Sequence, residues 1–93
     1  MKYEVKPSSK FKKGLRAAEK RGKDLSKLTR VIKMLANGET LPPENRDHKL
    51  DGNYEGKREC HIEPDWLLVY EYENTELFLY LLGTGSHSDL FKR

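Results

Sequence analysis

The chain is 93 residues long, 35% hydrophobic and 35% charged, with a formal net charge of +3. That length predicts one domain over residues 1–93 with a single modest core. The longest apolar run, Leu77 to Leu82, is far short of the ~20 residues a membrane-spanning helix requires.

Charge is distributed unevenly. Residues 1–33 carry twelve Lys or Arg against three Asp or Glu, whereas residues 34–93 carry six against twelve. A basic first third predicts an anionic partner, nucleic acid ahead of an acidic protein. The lone Cys60 has no partner for an intrachain disulfide, and no apolar signal core follows Met1. A soluble, cytoplasmic protein with no membrane contact is therefore expected.

In chain order, Tyr3 and Val5 alternate with charged residues and predict a short strand closed by Pro7. Ser8 or Ser9 then caps a helix with Phe11, Leu15 and Ala18 on one face and lysines on the others, broken at Gly22. Asp24 caps a second helix whose stripe is Leu25, Leu28, Ile32 and Leu35, and Asn37-Gly38 ends it. The short link predicts a helical hairpin.

Residues Leu41 to Asn53 read as a loop containing His48. A strand is expected over Tyr54 to Ile62, a turn at Pro64-Asp65, and a strand over Trp66 to Tyr72. That strand puts Trp66, Leu68, Tyr70 and Tyr72 on one face and Leu67 and Val69 on the other. After a hairpin at Glu73-Asn74-Thr75, Leu77 to Leu82 predicts a central strand covered on both faces. Ser86 to Phe91 can form one helical turn. The expected architecture is α+β: an N-terminal strand, a two-helix hairpin, an antiparallel meander and a short C-terminal helix.

All three histidines, His48, His61 and His87, sit beside turn residues or carboxylates, where an imidazole can be held and tuned. RNA carries its own nucleophile, the 2′-hydroxyl. Its cleavage needs a base, an acid for the 5′-oxygen, and positive charge on the phosphate. Histidines can supply the first two near neutral pH without a cofactor. Asp65, four residues after His61, can orient a histidine or act as a base. Arg58, three before His61, can hold a phosphate with its fork. Trp66 and Phe91 can stack on splayed bases.

Plainer roles compete at each position. His48 can be merely solvated, His61 can bond a carbonyl, Trp66 can be core, and Phe91 can anchor the C-terminus. The stretch Gly83-Thr84-Gly85-Ser86 reads as a flexible turn and lacks the Gly-Lys-Ser/Thr of a phosphate loop. A zinc site from His48, His61, His87, Cys60 and Asp65 is disfavoured, because no Cys-x-x-Cys or His-x-x-x-His pair supports it and Cys60 and His61 should face opposite sides of a strand.

Taken together, Arg46-Asp47-His48-Lys49-Leu50, Leu50-Asp51-Gly52-Asn53-Tyr54-Glu55-Gly56, Arg58-Glu59-Cys60-His61-Ile62-Glu63-Pro64-Asp65-Trp66 and Gly83-Thr84-Gly85-Ser86-His87-Ser88-Asp89-Leu90-Phe91 resemble the YafQ-type mRNA interferases. These are bacterial toxins of the RelE/ParE superfamily. The resemblance implies a RelE-like domain that cleaves mRNA on the ribosome and is held inactive by a cognate antitoxin. It also implies a toxin-antitoxin complex that binds operator DNA through the antitoxin. The family's functional positions match His48, His61, Asp65, Trp66, His87 and Phe91. Glu59 stands where the family often has Asp.

On this reading His87 is the general acid, Asp65 with His48 or His61 serves as base, and Arg58 steadies the transition state. Lys92 and Arg93 extend past Phe91 toward RNA or ribosome. Two rivals share the fold: a ParE-like gyrase-inhibiting toxin, and a non-catalytic RNA-binding module. Neither needs the histidines.

Overall fold

The computed structural model describes residues 1–91, so Lys92 and Arg93 lie outside the described residues. Strand β1 (Glu4–Pro7) leads into helices α1 (Ser9–Lys20) and α2 (Leu25–Ala36). Then come a two-residue strand β2 (His48–Lys49), strands β3 (Arg58–Glu63), β4 (Trp66–Glu73) and β5 (Phe78–Gly85), and a short helix α3 (His87–Phe91). The α+β class follows the sequence expectation. Among the described residues, no helix is long and apolar enough to cross a membrane.

The helix boundaries are set by local chemistry. Ser8 caps α1 by accepting from the Phe11 N–H at 3.0 Å, and Asp24 caps α2 by accepting from the Ser26 N–H at 3.0 Å. Gly38, at φ +76°, takes the left-handed position that ends α2.

The strands lie in the order β1-β5-β4-β3-β2. β1 runs parallel to β5 and every other pair is antiparallel, so the sheet is mixed where an antiparallel one was expected. The reason is the connection out of β1. Pro7 pairs with Leu81 and the Ser8 N–H donates to the Leu81 carbonyl at 2.9 Å. This starts α1 beside the C-terminal half of β5, against which it packs.

One sheet face is covered by the helices. Phe11, Ala18, Leu28, Val31 and Leu35 close on Cys60, Trp66, Leu68, Tyr70, Leu79 and Leu81. Each fully buried side chain of this size contributes about 1.5–3 kcal/mol, so this layer carries most of the stability. The other face carries a smaller cluster of Leu67, Val69 and Leu90, flanked by Leu50, Leu82 and Phe91.

Three boundaries differ from expectation. A short 3-10 turn over Gly52–Tyr54 and a left-handed Gly56 (φ +87°) delay β3 until Arg58. Glu73 accepts N–H groups from Thr75 and Glu76 at 2.9 and 2.7 Å, closing a turn that leaves Leu77 at φ +62°, outside β5. β5 instead continues through Gly83, Thr84 and Gly85, which are strand and not a flexible turn. It is central, but Phe78, Tyr80 and Leu82 on its outer face are only half-buried.

Candidate active site

The two-residue strand β2 pairs His48 opposite Glu59 of β3. Side chains alternate along β3, so Glu59 and His61 share a face while Arg58, Cys60 and Ile62 take the other. Glu59 pairs with Val69 and His61 with Leu67, which fixes that shared face as the one turned away from α1 and α2. α3 begins with His87 at the end of β5. His61 lies between the other two rings, at 6.4 Å centroid to centroid from His48 and 5.8 Å from His87. The three histidines thus converge.

Each ring is anchored through Nδ1. His48 Nδ1 meets the Arg46 carbonyl at 2.7 Å, and His61 Nδ1 meets the Pro64 carbonyl at 3.2 Å. A carbonyl only accepts, so Nδ1 carries a proton on both rings and Nε2 is the nitrogen left for chemistry. His61 is further steadied by the Asn45 side-chain amide, which donates to its carbonyl at 2.8 Å. His87 Nδ1 lies 2.6 Å from Asp65 Oδ1, and the same oxygen accepts the His87 backbone N–H at 3.0 Å. First the backbone N–H and then the ring hold the Asp65 carboxyl below its ordinary range. One carboxylate oxygen of Asp65 thus holds both the ring and the backbone N–H of His87.

Glu59, noted in the sequence only as a departure from the family's Asp, joins the histidines. Its side chain is 6% exposed, and Oε1 lies 3.5 Å from His48 Nε2 and 3.7 Å from His61 Nε2. A buried carboxylate thus faces both imidazoles at ion-pair distance. The signal was present: residues 59 and 61 of one strand must point the same way.

Two residues expected to touch RNA are held by protein partners. Arg58 does not face the histidines. Its Nη2 donates to Asp47 Oδ2 at 3.1 Å and its Nε to the Tyr70 hydroxyl at 3.3 Å, and the same hydroxyl donates to Asp47 Oδ1. Three residues along a strand is an odd step, which turns the guanidinium toward the helices. The Asp47 carboxylate raises the Arg58 pKa, and burial with Asp47 raises that of Tyr70. This network ties down Asp47, the residue before His48.

Trp66 is 2% exposed and its Nε1 donates to Thr84 Oγ1 at 3.0 Å; its ring packs in the core cluster. Phe91 is half-buried and meets Tyr54 edge-on at 5.3 Å. Burial raises the pKa of Cys60, leaving an inert thiol behind the sheet.

The site is a ledge. The His48 and His87 side chains are 48% and 51% exposed. Of the cluster only Asp65 borders the cavity of about 350 Å³ between α1 and α3. An open ledge admits a segment of a polymer where an enclosed pocket would not. Glu59, His61 and His87 also offer ligand atoms within 4.8 Å of one another, a spacing open to a divalent cation.

A small α+β domain with this ledge is the architecture of a bacterial toxin of the type II toxin-antitoxin class. Residues 3–92 match the family model for the bacterial toxin of the type II toxin-antitoxin system, YafQ, and the chain belongs to that family. It is 37% identical over 89 residues to the mRNA interferase toxin YafQ of Escherichia coli strain K12, covering 95% of each chain. The crystal structure of the E. coli DinJ-YafQ toxin-antitoxin complex superposes with a TM-score of 0.87 at 35% identity, over 98% of this chain and 99% of the other. The metal-bound toxin from Helicobacter pylori superposes at 0.91 with 43% identity, over 98% and 100%.

Proposed function

We propose that this chain is an mRNA interferase, a single-domain endoribonuclease acting on ribosome-bound message by acid–base transesterification. The carrying observation is the row of three imidazoles, 6.4 and 5.8 Å apart, each tied back through Nδ1. In-line displacement needs base and acid on opposite sides of phosphorus. Strand order sets His48 and His87 at the two ends with His61 between.

His48 Nε2 takes the 2′-hydroxyl proton, and the oxygen attacks phosphorus. The P–O5′ bond then breaks, and O5′ leaves with the Nε2 proton of His87. The products are a 2′,3′-cyclic phosphate and a 5′-hydroxyl. His61, sharing Glu59 with His48, faces the phosphate oxygens and balances their charge. Asp65 supports the imidazolium of His87, the orienting role a carboxylate plays in acid–base triads.

The basic first third, with lysines spread around α1, suits ribosomal RNA phosphates, and association should weaken steeply with salt. The DinJ-YafQ complex of the relative supports a cognate antitoxin, through which the pair would reach operator DNA.

The test is His87→Gln with a ribosome-bound message, read by primer extension. A general acid contributes about 10²–10⁴-fold, so cleavage should fall by that factor with the melting temperature unchanged. Full cleavage by the folded variant would refute the assignment. DNA damage without message cuts would favour the gyrase inhibitor instead.

A further inference from the structure

α3 has only five residues, too few to hold itself by helix propensity, yet it carries His87. Side-chain contacts must orient it: Asp65 holds the ring and N–H of His87, and two further sources hold the turn. The first source is a reciprocal cap: Asp89 Oδ2 accepts the Ser86 N–H at 3.0 Å and Ser86 Oγ accepts the Asp89 N–H at 3.1 Å. These two bonds bracket His87 within one turn.

The second source lies at the far end of the helical layer. Arg21, the C-cap residue of α1, grips the same carboxylate with both arms, Nη1 to Oδ2 at 2.7 Å and Nη2 to Oδ1 at 3.4 Å. Fork-on-carboxylate pairing fixes direction as well as distance. The site is built to admit it: a Cβ on Gly85 would lie 2.9 Å from Asp89 Cβ and 3.0 Å from its Oδ2, so only glycine leaves the carboxylate room to fold back.

We propose that Arg21 and Asp89 are positioning residues for His87, a clamp from α1 that aims the imidazole over the scissile phosphate. The inference rests on His87 being the general acid. Arg21, then Ser86, hold the Asp89 carboxyl well below its usual range, so the clamp is charged at neutral pH. The side chains are 53% and 37% exposed. Exposed pairs add little to global stability, so the effect of the clamp belongs in catalysis rather than in melting.

The experiment compares Arg21→Gln, Asp89→Asn and the control His87→Gln. It uses single-turnover cleavage of ribosome-bound message, ¹⁵N resonances of the His87 ring, and thermal melts. Misplacing a reacting group by about 1 Å costs up to about 10²-fold. Both clamp variants should therefore lose about 10- to 100-fold in rate with half-saturation unchanged, shift the His87 ring signals, and melt as wild type. Arg21→Lys should be intermediate.

Asp89→Asn carries a special weight, because deleting a negative charge would tighten RNA binding and cannot mimic a lost phosphate contact. Wild-type rates in both variants, a loss carried by half-saturation alone, or a loss that tracks the melting transition would each overturn the clamp. A fully active His87→Gln would instead overturn the underlying catalytic reading.

Discussion

Gly14→Ala tests how tightly the helical layer is seated on the sheet that carries the site. A Cβ at position 14 would lie 2.2 Å from the Thr84 carbonyl oxygen and 3.2 Å from the Thr84 carbonyl carbon and Cγ2. Ordinary contact begins near 3.4 Å, so helix and strand must part by about 1.2 Å. β5 cannot yield easily. Thr84 Oγ1 accepts from Trp66 Nε1 at 3.0 Å and donates to the Leu67 carbonyl at 2.7 Å, both inside the core. α1 must therefore move.

Overpacking costs about 1–3 kcal/mol, and a backbone obstacle puts this case in the upper half. Replacing an interior helical glycine by alanine returns about 1 kcal/mol. The net is about 1–2 kcal/mol of destabilisation, a fall of about 4–16 °C in Tm for a domain of this size. Circular dichroism melts measure it. Because Arg21 rides on α1, cleavage at a temperature where the variant is folded should fall as well. An unchanged or raised Tm would show that the contact relaxes freely and would refute the reasoning.

Arg58→Met should destabilise by about 1–3 kcal/mol, because the Asp47 carboxylate loses its cation and keeps the Tyr70 hydroxyl, visible as a lower urea midpoint. Its salt dependence of RNA association should match wild type, and a slope reduced by about one would restore the phosphate contact. Glu59→Gln keeps the shape between His48 and His61 but removes the charge. It should slow cleavage at least about tenfold, about 1.4 kcal/mol in the barrier, and an unaltered rate would remove Glu59 from the site. Ser26 holds the Asp24 carboxyl below its ordinary value through its hydroxyl, then its N–H. Its stabilising effect is thus complete above the unfolded value near 3.9 and fades as pH falls through the lower folded one. Asp24→Ala should lower the urea midpoint at pH 7 and flatten its decline between pH 5 and 2; a parallel decline would exclude Asp24 as a source.

Ser8, Asp24 and Gly38 were legible as helix boundaries because the side-chain caps join residues only two or three apart. The alternation from Trp66 to Tyr72 likewise told which side of β4 meets the helices. The same alternation, applied to β3, separates Arg58 from His61 and joins Glu59 to it. That much lay in the order of residues and needed only consistent use.

Convergence of the histidines did not lie there. It depends on β2 pairing at all, a two-residue contact that no local pattern announces, and on the register that sets His48 against Glu59. It depends also on α3 being fastened by Asp65 and Arg21, 22 and 68 residues away from the groups they hold. Local sequence determines which residues can be base, acid or cap, because those are properties of side chains and their near neighbours. Distances between distant segments are decided only when the sheet closes and the core packs, since no short-range interaction encodes them.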